Sequence, residues 1–316
     1  MDRALTHRLR NFLHSALLIL GMAGIAGGTV YLIWGGAGVF WAAVGSAVAL
    51  AVSASASKEL VLSMYRARKL SSQTLPEAVR MVETLSERAG LSRPPDLYYV
   101  PSSLVNAFAV GRADSAAVVV TDGLLRLLDR REIAGVLAHE ISHIANRDLW
   151  IMGLADVMSR LTSFLSHVGL ALMLIYPFLT MSGAQKPPFG ALIIMVFAPT
   201  IMSLLQLALS RAREYDADHS AAELSGDPEG LARALAKLER RSGAYWEEIL
   251  LPGRRIPEPS LLRTHPPTAE RLERLATIAP DPEAARALLR PEPVSLPAAF
   301  GIVSAPPGWR WSGVWY

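Results

Sequence analysis

The chain has 316 residues, 51% of them hydrophobic, a formal net charge of only +3 and no cysteine. Its mean hydropathy of +0.29 is high for a soluble protein and points to membrane spans beside a folded polar part. Lack of cysteine excludes disulfides, cysteine-held metal and thiol catalysis. With no dense Lys/Arg block or aromatic-basic platform, nucleic acid is not expected as a partner.

In chain order, residues 1–57 read as a membrane hairpin. Its apolar runs, 16–34 and 39–57, are each long enough for about 30 Å of hydrocarbon, and the link GGAGV is very short. Gly24 and Gly28 have the spacing that permits close helix packing. The basic start MDRALTHRLR resembles the opening of a signal peptide, but a second apolar run follows at once, which favours the hairpin.

Residues 58–149 read as the first part of a catalytic domain. An amphipathic helix lies within 70–95 and ends at Gly90 and RPP. Short β-like pieces follow at 96–100, 106–111 and 115–123, then helices at 124–130 and 132–146. Residues 150–209 form a second hairpin, with apolar runs 161–182 and 189–209 that Pro177 and Pro199 are expected to kink. His167, inside the third run, is expected to hydrogen-bond a neighbouring helix. Residues 210–279 form the second part of the domain: a helical stretch, a Pro-rich loop at 252–267 and a short helix at 268–278. The tail, 280–316, is Pro-rich and carries Trp309, Trp311 and Trp315. It could anchor at the membrane interface, cover the domain or lie in its cleft.

The fold class expected is therefore an α+β membrane protein with four transmembrane helices. Arg3, Arg8 and Arg10, then Lys58, Arg66, Arg68 and Lys69, then Arg211 and Arg213 flank the spans, while the hairpin tips carry only Lys186. The positive-inside rule places both termini and both polar segments in the cytoplasm. An even number of crossings puts residues 143 and 214 in one compartment.

The chemistry lies in VLAHEISHIANRD, residues 136–148. Positions four apart share a helix face, so His139 and His143 can aim both imidazoles at one metal ion. Glu140 can take a proton from the water that a zinc ion acidifies. A catalytic zinc site needs a third protein ligand, and SRAREYDADHS, at the end of the fourth span, supplies candidates. Glu214 can ligate directly, and Asp218, one turn on, can accept the free N–H of a ligand histidine. His219 is an alternative ligand. Arg271 is a candidate to pair with an acid near the site, and Tyr215 could donate to a developing oxyanion. A helix with two satisfied histidines is the alternative to a metal site.

VLAHEISHIANRD, SRAREYDAD, NAFAVG and THPPTAERL occur in this order, with two spans before the first polar segment and two between the zinc motifs. As a set they resemble the M48 peptidases, specifically the HtpX-like membrane zinc metalloproteases. The related CAAX prenyl proteases share the motifs but usually have more spans. The resemblance runs from about residue 10 to 278 and leaves the tail unmatched. It implies one Zn2+ per chain on His139, His143 and Glu214, with Glu140 as general base, in a zincin-like (gluzincin) domain. It also implies that NAFAVG is a substrate-binding edge strand, with Asn106, Ala107, Phe108, Ala109 and Val110 as contacts. His265 is implied to stabilise the oxyanion, unless it only packs beside Pro266. The expected protein is a multi-pass endopeptidase of a bacterial inner or plasma membrane, acting on membrane or misfolded proteins as quality control. A site-specific processing protease for a lipidated or signalling protein, and a non-catalytic membrane scaffold, are the rival readings.

Overall fold

The computed structural model describes residues 3–112, 114–183, 187–249 and 267–289. The chain divides into two compact units, one of residues 1–54 and 150–213, the other of residues 55–149 and 214–316.

The first unit is helical because its segments are apolar over long stretches. A helix satisfies every backbone polar group internally, as a hydrocarbon environment demands. Among the described residues, three helices are long and apolar enough to cross a membrane: Leu13–Ala51 within α1 (Arg3–Met64), Asp148–Met181 (α5) and Phe189–Ser225 (α6). Helix α1 is interrupted at Gly35, whose φ of 61° and ψ of −159° leave the helical region for one that a side chain rarely adopts. Pro177 and Pro199 lie inside α5 and α6.

Met22, Ala26, Ala155, Met202 and Leu209 form one buried cluster. Val30, Leu165, Leu192 and Met195 form another. A Cβ on Gly153 would lie 3.6 Å from Leu50. The expected Gly24/Gly28 packing pair is not used, since a Cβ on either would meet nothing within 4 Å; Gly21 faces Leu205 and Gly169 faces Met195 instead. The reason is phase, because the face carrying Met22 and Ala26 is the one turned inward. His167 also departs from expectation. Its Nδ1 lies 2.6 Å from the carbonyl of Ser163 on its own helix, one turn back, and the residue is exposed.

The second unit is α+β. A four-stranded sheet has the order β1-β2-β4-β3, built from β1 (Arg68–Lys69), β2 (Asp96–Val100), β3 (Ala107–Val110) and β4 (Ala117–Thr121). Strands β2 and β4 pair in parallel, while β1 and β3 each add antiparallel at an edge. Strand β4 is buried throughout, which suits a central strand and matches its run of valines.

Helix α2 (Pro76–Arg88) lies within the expected 70–95. After α3 (Asp122–Leu127) comes α4 (Arg130–Ala145), then the end of α6, α7 (Pro228–Ile249), α8 (Thr268–Ala276) and α9 (Pro282–Leu288). One core holds Met81 and Leu85 of α2, Val118 of β4, Ile141 of α4, Ala221 of α6 and Leu231 of α7. The Pro-rich loop apart from Pro267, His265 and the three late tryptophans lie outside the described residues.

Candidate metal centre

Helix α4 carries the histidine pair, and its start is fixed locally. Asp129 accepts from the backbone N–H of Glu132, and Glu132 accepts from that of Asp129, a reciprocal cap that satisfies two otherwise orphaned donors. Ile133, Leu137, Ile141 and Ile144 anchor the helix in the core. That packing leaves His139, Glu140 and His143 along one side, with His139 buried and Glu140 and His143 half-buried.

The ligand atoms of His139, His143 and Glu214 all lie within 4.8 Å of one another. The two Nε2 atoms are 3.1 Å apart, with the rings edge to face at 86°. Glu214 places Oε2 3.5 Å from Nε2 of His139 and Oε1 3.6 Å from Nε2 of His143. Behind the rings stand two more carboxylates. Oδ1 of Asp218 is 3.1 Å from Nδ1 of His139, and Oδ2 of Asp148 is 2.8 Å from Nδ1 of His143. A carboxylate can only accept, so in the neutral form that binds a metal each ring keeps its proton on Nδ1, beside the carboxylate, and presents the Nε2 lone pair. Two lone pairs and a carboxylate oxygen directed at one small volume repel each other unless a cation lies among them. The donor set of two imidazoles and a carboxylate is the chemistry that binds a divalent transition metal.

The electrostatics agree. Burial by itself would lower the pKa of His139, but the adjacent carboxylates of Asp218 and Glu214 lift it to about 10, so a proton takes the place of the metal cation there until one binds. The site attracts positive charge strongly. Burial would likewise raise Asp218, yet the two bonds from Arg271 and the contact with His139 hold its carboxyl below the ordinary range.

Arg271 pairs with an acid of the site, as its sequence position allowed: Nε and Nη2 reach Asp218 at 2.7 and 2.6 Å, and Nη2 also lies 3.4 Å from Glu214. Asp148 was not singled out from the sequence. Its signal was its place five residues after His143, at the start of the next helix. His219 stands 3.4 Å from Glu223, apart from the three-residue cluster. The ring of Tyr215 is covered by Arg274 at 3.7 Å. Strand β3, with Ala107, Phe108, Ala109 and Val110, is an edge of the sheet and packs beside α4. Asn106 precedes it, its backbone bonded to Thr121 through both N–H and C=O.

The family model "Peptidase family M48" matches residues 72–279. A "Protease HtpX homolog" of Acaryochloris marina is 37% identical over 280 residues, covering 84% of this chain and 94% of the relative. A protein of the same description from Pyrococcus abyssi is 38% identical over 288 residues, covering 85% and 96%. The crystal structure of S. mikatae Ste24p is similar with a TM-score of 0.47 and 19% identity, covering 85% of this chain and 66% of that one. The matched segment holds the whole three-residue cluster, and the apolar helices make the protein an integral membrane one. The chain belongs to peptidase family M48 and is a membrane-bound metalloprotease.

Proposed function

We propose that this protease is a zinc endopeptidase that cleaves membrane or misfolded proteins on the cytoplasmic side of a bacterial inner membrane, as quality control. The observation that carries the reading is the convergence of His139, His143 and Glu214 within 4.8 Å. These three would hold one zinc ion per chain. When bound, zinc supplies Lewis acidity, acidifying water and polarising a carbonyl. Glu140, next to the first ligand on α4, accepts the proton of the attacking water and passes it to the departing amine. The water oxygen bonds to the carbonyl carbon as the C=O π electrons move to the carbonyl oxygen; the C=O bond then re-forms as the C–N bond breaks and the protonated amine leaves. Edge strand β3, with Asn106 before it, would bind the substrate as an added strand through its main chain. His265 is the residue assigned to the oxyanion.

The domain would be zincin-like, split into 58–149 and 210–279 around hairpins 1–57 and 150–209; of the tail 280–316, α9 adds to the domain, with Leu288 in its core. Four crossings are favoured over three. The apolar part of α1 has 39 residues, about 58 Å as a straight helix against a hydrocarbon core of about 30 Å. Gly153 lies by Leu50 while Ala155 clusters with Met22 and Ala26. A straight helix would hold Ala26 and Leu50 about 36 Å apart, so both reach neighbouring parts of α5 only if the chain turns back near Gly35. The flanking Arg and Lys residues favour cytoplasmic polar segments.

The test is metal content and casein cleavage of the detergent-purified chain beside Glu140→Gln. One zinc per chain in both, with cleavage lowered at least about a hundredfold in the variant, is the expected result. A wild type that takes up no zinc after resupply would sink the reading.

A further inference from the structure

We infer that Asp148 is a positioning residue for the metal site, fixing the tautomer and ring plane of His143 so that Nε2 is delivered as a ligand. The inference rests on the zinc reading above. Helix α4 ends at Ala145 with Asn146 as its C-terminal cap, and Arg147 adopts a left-handed φ of 58°. That single residue redirects the chain, and α5 begins with Asp148. The turn brings the Asp148 side chain back onto the last turn of the preceding helix, where it is only 3% exposed.

Its Oδ2 lies 2.8 Å from Nδ1 of His143, a shorter approach than the 3.1 Å between Asp218 and His139. An imidazole on a helix has two side-chain torsions, and the χ2 well is broad. One buried hydrogen bond at Nδ1 removes that freedom. It places the proton on Nδ1 and leaves the Nε2 lone pair facing Nε2 of His139 and Oε1 of Glu214, at 3.1 and 3.6 Å. Asp148 is not one of the three clustered ligands, so it acts through His143 and not on the metal. A carboxylate behind an imidazole also raises the basicity of the opposite nitrogen, which strengthens it as a donor.

The rival role is a purely structural one, since an acid in the first turn of α5 favours the helix dipole. The two roles separate in zinc affinity and metal-free stability, measured on the full-length, detergent-purified chain. Zinc affinity is read by competition with a chromophoric chelator, and stability by the unfolding midpoint of the metal-free protein. Asp148→Ala is expected to weaken zinc binding by about 10- to 100-fold. Asp148→Asn, which keeps an acceptor oxygen but loses the charge, is expected to weaken it by about three- to tenfold. The metal-free midpoint of Asp148→Asn, which keeps the acceptor oxygen, should match the wild type.

Wild-type affinity in Asp148→Ala would overturn the inference. So would equal losses in both variants together with lowered metal-free midpoints, which would mark a role in folding only. If Asp148→Ala does not fold, Asp148→Asn decides: weaker zinc at an unchanged midpoint supports the inference, and unchanged affinity overturns it. A wild type that binds no zinc would fail the metal reading itself.

Discussion

Arg271 enters the site from α8 with two guanidinium nitrogens on Asp218 and one within 3.4 Å of Glu214. Burial alone would lower its pKa, but the bonds and charge of Asp218, with Glu214 and Glu140 behind them, keep it charged. The pair is sealed from water, so removing one partner leaves the other as an uncompensated buried charge. Arg271→Ala is expected to destabilise the polar unit by about 3–5 kcal/mol, read by denaturant unfolding. Arg271→Lys should recover only part of that loss, because an ammonium cannot make the two-pronged contact. A melt of Arg271→Ala matching the wild type would show that the pair is not structural. The depressed Asp218 carboxyl sets the pH sign. The pair's contribution is present above the ordinary carboxylate range and is lost as pH falls through the lowered value.

Helix α4 holds the histidines in place because it is clamped against α7 at unusually short range. A Cβ on Gly135 would meet the backbone Cα and N of Leu231 at 2.8 and 2.9 Å. Backbone cannot rotate away as a side chain can, so the helices would have to part. Gly135→Ala should therefore destabilise by about 1–3 kcal/mol through overpacking, although alanine favours an isolated helix by about 1 kcal/mol. An increase in the unfolding midpoint would show that α7 yields easily at this contact.

The topology of the whole molecule can be probed because the chain has no native cysteine. Single cysteines at Gly36, Ser182 and Gln73, all exposed, report three places with a membrane-impermeant thiol reagent on intact cells. Four crossings with cytoplasmic polar segments predict labelling at Gly36→Cys and Ser182→Cys and protection at Gln73→Cys until the cells are opened. Protection of Gly36→Cys with labelling of Ser182→Cys would instead favour a single long crossing by α1. Labelling of Gln73→Cys in intact cells would reverse the orientation.

Much of the protein could be read from local pattern. Hydropathy marked the apolar stretches, alternation and turn residues marked β2, β3 and β4, and the spacing of His139 and His143 marked a helix face with the geometry to hold a metal. Glu214 and Asp218 were legible for the same reason, since i and i+4 spacing is a property of one helix. Contacts between segments were not. Gly24 and Gly28 have the spacing of a packing pair, but rotation of α1 turned Met22 and Ala26 inward instead. His167 satisfied itself on its own helix because the carbonyl of Ser163 lies one turn back. Asp148 became a partner of His143 only through the left-handed turn at Arg147. Which residues could bind a metal followed from the order of side chains alone, since ligand chemistry and helix periodicity are local. Which carboxylate stands behind which histidine, and that Arg271 lies against Asp218, followed from packing, because those distances are set between separate segments.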